Sequence, residues 1–495
     1  KNYIDEIRIP KGFWKYRDPG KWIAKNNNFK ELGEALILMD KAAKSAIKDA
    51  GNESIKNYID EIRIPKGFWK YRDPGKWIAK NNNFKENPTT YVTKIGVLQQ
   101  NLINEACLRI ERGDIRASII LGGEARYKRL RSKIEKKNFQ EKILDENPDF
   151  YIKAKENLYG DEELKALGSM AVGYYAVIET ALRRANDESL QEHQDKIGKM
   201  YQNFSEQALK NKNSWADRCF SAEDIISVSE KNKMMAYPYN KYHCTSWNVN
   251  QSAALIICSE EIADELEIDI SSRVYPVAST ENNHMIAVQQ RPKLYESIGM
   301  DYAANKILEF VNKLNITIDK YDLYSCFPAA VKMFQNSLKI EDGKQISITG
   351  SMPFAGGPLN SYVLHSSVQM IKEIRAGKTN YGLVTGVSGM MTKQSFCIWG
   401  IEFKEKFLFF DVSKKARADE LPLKLLTKSH GSAKVVGYTF YRDTDMSFKA
   451  VLYIEDEKKS RKVVTSKKPE FIKRLKIEDW VGKYIKYNEN QVSSW

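Results

Sequence analysis

The chain has 495 residues, of which 42% are apolar and 29% charged, with 78 basic against 64 acidic side chains. At ~150 residues per domain there is room for about three domains, and the composition is that of an ordinary globular chain, which excludes a disordered or collagen-like one. The net charge of +14 attracts polyanions such as phosphorylated cofactors, but no zinc-finger, helix-turn-helix or aromatic RNA-binding motif accompanies it, so nucleic acid is not expected as a partner.

The long apolar stretches, such as 253–258, run to six residues, against ~20 for a membrane helix. No basic-then-apolar leader opens the sequence, and a cytoplasmic protein is expected. Six cysteines, none in a C-x-x-C pair and with no His at zinc-ligand spacing, read as free thiols with no metal site.

Residues 1–31 and 56–86 are the same string, KNYIDEIRIPKGFWKYRDPGKWIAKNNNFKE. Solenoid repeats drift in sequence and stack in three or more copies; two unchanged copies point instead to a recent duplication or an artefact. Each copy opens with a strand pattern, Tyr-Ile-Asp-Glu-Ile-Arg-Ile. The aromatic, basic loop after it fits packing over a core better than stacking on a phosphate or a base. Between the copies, 32–55 reads as an amphipathic helix with Leu36, Leu38, Met39 and Ala43 on one side, ended by Ala50-Gly51-Asn52. Copy two leads into the next helix and is expected to hold the native position. Copy one is expected to be peripheral, because its strand alternates like a half-buried edge strand and lacks the apolar run of a central parallel one.

Residues 96–113 are helical, and 117–121 form a buried strand followed by Gly122-Gly123-Glu124; this alternation argues for an α/β sheet. From 126 to 240 the chain is charged and helical, most clearly at 174–185 and 193–210, and reads as an inserted cap. The sheet pattern then returns, with strands at 253–258, 322–324 and 381–385 and helices at 259–266, 302–314 and from Gly356-Gly357-Pro358 to about 376. Residues 401–495 alternate apolar and polar with turn signals, as in a small β-domain.

Three motifs in this order resemble the thiolase superfamily: Leu121-Gly122-Gly123-Glu124-Ala125 after a helix, Tyr324-Ser325-Cys326-Phe327 after a strand, and Gly356-Gly357-Pro358 before a helix. The resemblance covers about residues 32–495. It is nearest to the type 1 thiolase-like proteins of the sterol-carrier-protein group, which carry an extra C-terminal β-barrel and are commonly labelled acetyl-CoA acetyltransferase. It implies a five-layered αβαβα fold of two similar halves, 32–265 and 266–400. It also implies a helical loop domain at about 126–240 that shapes a coenzyme A site, and an OB-like barrel at 401–495, with 1–31 left outside this plan. A homodimer, an acyl-CoA or pantetheine-type ligand and no tightly bound cofactor follow from the same resemblance.

Thiolase chemistry, as the resemblance implies it, uses a nucleophilic cysteine, a histidine that lowers its pKa, an oxyanion donor and a second, acid–base cysteine. Matched position by position, these fall on Gly96, Gly357, Tyr324 and Val387. None of the four carries the family's group. Cys107 lies three turns along the Gly96 helix, about 16 Å away. Cys326 is the thiol on a motif loop and the one possible nucleophile there, and His243-Cys244 lies where the cap rejoins the core. Ligand contacts are expected from Tyr324, Cys326, Phe327, Gly356, Gly357, Pro358 and His243. The sequence thus reads as a thiolase-like acyl-CoA-binding protein degenerate for Claisen condensation and thiolysis, with a partner protein as one role for it. The alternatives are an active acetyl-CoA acetyltransferase that uses Cys326 or Cys244, and a polyanion- or lipid-binding scaffold.

Overall fold

The computed structural model describes residues 33–85, 87–402 and 406–495. Copy one of the repeat, and with it the expectation that it is peripheral, lies outside the described residues.

The first half is built from α1 (Ala35–Asp49), β1 (Ile59–Pro65), α2 (Pro74–Asn81), β2 (Thr89–Thr93), α3 (Gln99–Glu111) and β3 (Ala117–Ala125). The chain then runs out through α4 (Arg126–Ile134), β4 (Phe150–Ile152), α5 (Asp161–Leu167), α6 (Ala171–Ala185), α7 (Leu190–Lys210), α8 (Ala222–Ile226), β5 (Met234–Ala236) and β6 (Tyr239–Asn240). It returns with β7 (Asn250–Cys258) and α9 (Glu260–Glu265). The second half holds β8 (Tyr275–Asn282), α10 (Ile298–Leu314), β9 (Lys320–Asp322), α11 (Pro328–Leu338), α12 (Tyr362–Arg375), β10 (Tyr381–Ser388), β11 (Lys393–Gly400), β12 (Leu408–Asp411) and α13 (Ser413–Asp419). The C-terminal part comprises β13 (His430–Arg442), β14 (Phe448–Glu455), β15 (Arg461–Ser466), α14 (Pro469–Ile477), β16 (Tyr484–Asn488) and β17 (Gln491–Ser494).

Two five-stranded sheets run β4-β2-β1-β3-β7 and β12-β8-β11-β10-β9. Helices α3 and α12 pack on both sheets, α1 and α2 cover the outer side of the first, and α10 covers the outer side of the second. The layers are therefore αβαβα, as expected. The segment after 400 first gives β12 to the second sheet, parallel to β8, and the barrel strands start only at His430. Helix α1 ends before 55 because Gly51 turns to φ +84° and Asn52 caps a separate short turn, Glu53–Asn57.

Copy two supplies the middle of the first sheet. Strand β1 pairs parallel with β2 on one side and β3 on the other, which an alternating Ile-Asp-Glu-Ile-Arg-Ile pattern does not announce. The pattern suits an edge because one face is polar; here that face is buried and internally paired. Glu61 and Arg63 are 1% and 3% exposed. Arg63 Nη2 lies 2.6 Å from Glu61 Oε2, Arg109 Nη1 lies 2.8 Å from Glu61 Oε1, and the Arg63 guanidinium stands 4.2 Å over the Tyr91 ring. The aromatic loop of copy two is core as well: Trp69 and Tyr71 are buried and stacked, and Trp69 Nε1–H donates to Gly123 O.

The C-terminal strands close into a barrel in the order β13-β14-β15-β17-β16, with α14 between β15 and β16, an OB-type arrangement. Its core includes Tyr438, Phe440, Ile454 and Phe471, with Phe471 edge-on to Trp480 at 4.9 Å. Helix α6 is buried along most of its length and packs on β13. Gly437 lets the two approach, since a Cβ there would meet Val177 at 2.9 Å. The Tyr438 N–H donates to Thr180 Oγ1, and the Tyr453 hydroxyl donates to the buried Glu163. Among the described residues no helix is long and apolar enough to cross a membrane.

Breaking a buried ion pair from one side leaves an unpaired charge, typically at about 3–5 kcal/mol, whereas replacing both partners with apolar residues is close to neutral. Glu61→Leu and Arg63→Met should each lower unfolding stability by that amount in urea titrations. The double variant should lose less than the sum of the two, the remainder being the carboxylate that half-buried Arg109 loses with Glu61, and additive losses would contradict this account of β1.

Candidate functional site

The motif loops meet at the end of β9. Asp322 is fully buried, and its carboxylate accepts the N–H groups of Ile348 (3.0 Å) and Thr349 (2.8 Å) and the hydroxyls of Ser347 (3.3 Å), Tyr362 (3.3 Å) and Ser366 (2.9 Å). Burial raises its pKa, while these bonds oppose the rise. Just beyond it, Tyr324 N–H donates to Thr385 Oγ1 on β10 (2.8 Å), and Met352 N–H donates to Ser325 Oγ (3.1 Å). The Tyr324 and Gly356-Gly357-Pro358 loops and β10 are thus held in one register.

Of the residues expected at the site, Cys326 and Gly357 both meet the segment at Thr245 and Ser246. The Thr245 hydroxyl donates to Cys326 O at 3.0 Å, and Gly357 N–H donates to Ser246 O at 2.9 Å. A Cβ built on Gly357 would overlap the Thr245 methyl, and one on Gly356, at φ +103°, would overlap the Gln251 amide. A side chain at the position matched to an activating histidine would therefore have to displace Thr245. Phe327 stacks on Tyr175 (4.6 Å) and Tyr239 (5.6 Å), and His243 stands edge-on to Tyr201 at 5.5 Å. Val387 is buried on β10 opposite Gln394. Pro358 precedes the turn Leu359–Ser361 that leads into α12.

Gly96 sits at φ +105° ahead of α3, where a Cβ would come within 2.8 Å of Ala154. Helix α3 itself runs from Gln99 to Glu111, inside the helical stretch 96–113 expected from the sequence. Gln99 is the residue that α3 sends to the motif loops: its Oε1 accepts the Val363 N–H at 2.8 Å, and its side chain hydrogen-bonds Tyr324. No sequence signal marked it.

No described thiol beside the motif loops is set up as a thiolate. Burial pushes Cys326 up to about 12 and raises Cys244 further. Burial pushes His243 down to about 3; its Nδ1 accepts the Asn240 N–H at 3.0 Å, and it hydrogen-bonds neither thiol. Among the described residues no group of three or more His, Cys, Asp or Glu is arranged to hold a metal. Only Cys219 is exposed. Iodoacetamide at neutral pH should modify Cys219 alone until denaturant is added, read by mass spectrometry. Rapid labelling of Cys326 in the folded protein would show the activated thiol that this geometry lacks.

A cleft of about 610 Å³ lies between α7 and α11. Its floor includes Glu179, His193 and Ser347, and its walls carry Lys196, Lys199, Lys210, Lys332 and Lys344. It reaches Pro328, one residue past Phe327, but Tyr324, Cys326, Gly357, Val387 and His243 do not line it. On its floor His193 is gripped from both sides, Nε2 by Glu179 at 2.8 Å and Nδ1 by Glu188 at 2.5 Å, and Glu179 also accepts the Tyr239 hydroxyl. Burial by itself would lower the His193 pKa; the two carboxylates outweigh it and lift it to about 9. The same pairing, seen from Glu188, holds that carboxylate at about 2.

Because the folded value lies above the ordinary 6.5, this stabilisation is complete below pH 6.5 and is lost as the pH rises through about 9. It should amount to about 3 kcal/mol for the imidazolium. Urea titrations from pH 6 to 9.5 should show that loss in the native sequence and a much flatter profile in His193→Gln; superimposable profiles would refute it.

No protein-family model matches the chain, and no curated protein matches it significantly. Solved structures do match. The monomeric SCP2-thiolase-like protein type 1 of Mycobacterium smegmatis superposes with a TM-score of 0.78 at 22% identity, over 94% of this chain and 96% of that one. The acetyl-CoA acetyltransferase of Bacillus anthracis gives 0.50 at 14% identity, over 74% and 93%. The Ltp2-ChsH2(DUF35) aldolase gives 0.55 at 14%, over 74% and 93%. The chain thus has the thiolase fold. More particularly, it shares nearly its whole architecture, the C-terminal barrel included, with the thiolase-like protein of M. smegmatis.

Proposed function

We propose that this chain is a thiolase-fold binding protein for an acyl-CoA or other pantetheine-type ligand, and that it does not carry out Claisen condensation or thiolysis. The observation that carries the reading is the packing at Gly357, where the Thr245 methyl occupies the space an activating histidine would need. The high pKa of the Cys326 thiol and the neutral, unaligned His243 support it. A catalytic unit that lacks its nucleophile and base retains only binding and residual oxyanion effects.

The lysine-walled cleft between α7 and α11 is the proposed seat of the ligand. Its volume of about 610 Å³ lies within the usual range for small-molecule sites, ~300–1,000 Å³. Lys196 and Lys332 are engaged by Glu188 and Asp342. Lys199, Lys210 and Lys344 have no ion pair among the described residues and suit phosphate groups. The M. smegmatis protein is described as monomeric, and a monomer, rather than the homodimer implied by the family resemblance, is proposed here as well.

Calorimetry with coenzyme A and acetyl-CoA should give micromolar-range binding at low salt, weakened by Lys199→Glu and Lys210→Glu and by added salt. Acetoacetyl-CoA turnover should stay far below ~1 s⁻¹, a low value for an enzyme. Turnover above that rate would overturn the catalytic part of the proposal, and absence of heat at ~1 mM ligand, the weak end of specific binding, would overturn the binding part.

A further inference from the structure

Among the described residues, three of the four edges of the two five-stranded sheets are short. Strands β4 and β9 have three residues and β12 has four, which blunts them as templates for another strand. The fourth edge, β7, has nine residues, Asn-Gln-Ser-Ala-Ala-Leu-Ile-Ile-Cys, with no charge and no proline. The Ser259 N–H donates to Arg116 O at the end of its pairing with β3. Because an antiparallel ladder alternates every two residues, Ser252, Ala254, Ile256 and Cys258 turn their N–H and C=O groups away from β3.

That edge runs along a groove of about 640 Å³ between α1 and α12. Asn250 Nδ2, His365 Nε2 and Trp399 Nε1 belong to residues lining it and are buried without a hydrogen-bond partner among the described residues. The charged lining is Lys41, Lys212, Arg273, Lys372 and Arg375 against Asp49 and Glu260. Arg375 is engaged by Asp49 and Arg273 by Asp264, while Lys212 and Lys372 have no ion pair among the described residues. A second copy related by a twofold axis would set this positive groove against itself.

We propose that the β7 edge docks an extended, acidic segment of a partner protein, which adds to the first sheet as a sixth strand. Main-chain hydrogen bonds from Ser252, Ala254 and Ile256 hold such a strand, and the cations of the groove select its acidic flanks.

The test titrates the full chain with three fluorescent peptides: Asp-Glu-Val-Thr-Val-Thr-Val-Asp-Glu, a twin with lysines for the acids, and a twin with proline at the central Val. The acidic peptide should bind at least ~tenfold tighter than the lysine twin at about 20 mM salt, with the gap closing at about 300 mM. The proline twin should be weaker by ~tenfold, because it lacks a ladder donor. Ala254→Pro, which removes an outward N–H and no bond to β3, should abolish binding while leaving the melting temperature near that of the native sequence. If that variant fails to fold, Lys212→Glu with Lys372→Glu takes its place and should reverse the charge preference. Equal binding of the acidic and lysine peptides overturns the proposal, as does no saturable binding of the acidic peptide at ~1 mM. A dimer by light scattering that the lysine-to-glutamate pair disrupts would also overturn it, because a second copy then occupies the edge.

Discussion

The Asp322 carboxylate ties together segments far apart in the chain. It ends the three-residue strand β9 and gathers backbone N–H groups from the 347–349 loop and hydroxyls from α12. A carboxylate taken out of water is tolerated only when its lone pairs are met by donors, and here five donors from the 347–349 loop and α12 meet it. The same bonds fix where Tyr324, Ser325 and Cys326 emerge, and where the chain stands as it turns toward Gly356 and Gly357. The Tyr324 and Gly356-Gly357-Pro358 loops and β10 are therefore held in fixed relation to one another.

The space that thiolase chemistry would require is occupied. Tyr201, His243, Tyr239, Phe327 and Tyr175 form a continuous run of ring contacts, and the Thr245 hydroxyl closes onto Cys326 O. Interiors packed in this way do not open at small cost, and a side chain at 357 would have to displace the Thr245 methyl. The open volume lies one residue further along, behind Pro328, where His193 is held as a cation between two carboxylates.

The helices at 35–49, 99–111, 298–314 and 362–375 and the strands at 117–125, 250–258, 320–322 and 381–388 were legible in the hydrophobic periodicity, whereas α2, β2, β8, α11 and β11 were not read from it. Strand β1 was harder to place. Its Asp-Glu-Ile-Arg pattern signals an exposed face, and only the positions of Arg109 and Tyr91, on other elements, show how Glu61 and Arg63 come to be buried. Gly96 was placed by counting back from Gly113 without a gap; α3 starts at Gln99, and Gly96 lies just ahead of it at φ +105°. Asp322, Gln99 and His193 carry no motif. Their roles come from partners 25 or more residues away for Asp322 and Gln99 and, for His193, from Glu179 on the neighbouring helix. Such pairings are set by tertiary approach and leave no local pattern to read.

The seam between cap and barrel bears on how the molecule can come apart. Glu163 is completely buried and relies on the Tyr453 hydroxyl of the barrel for one of its hydrogen bonds, Ala166 O accepts from Tyr441 and Lys449, and α6 presses on β13 at Gly437. A chain cut short ahead of His430 would leave Glu163 short of a donor and the β13-facing side of α6 in water. Cap and barrel therefore open as a single cooperative unit. The barrel is not a detachable module, and any lineage that shed it would have had to rewrite α5 and α6 at the same time.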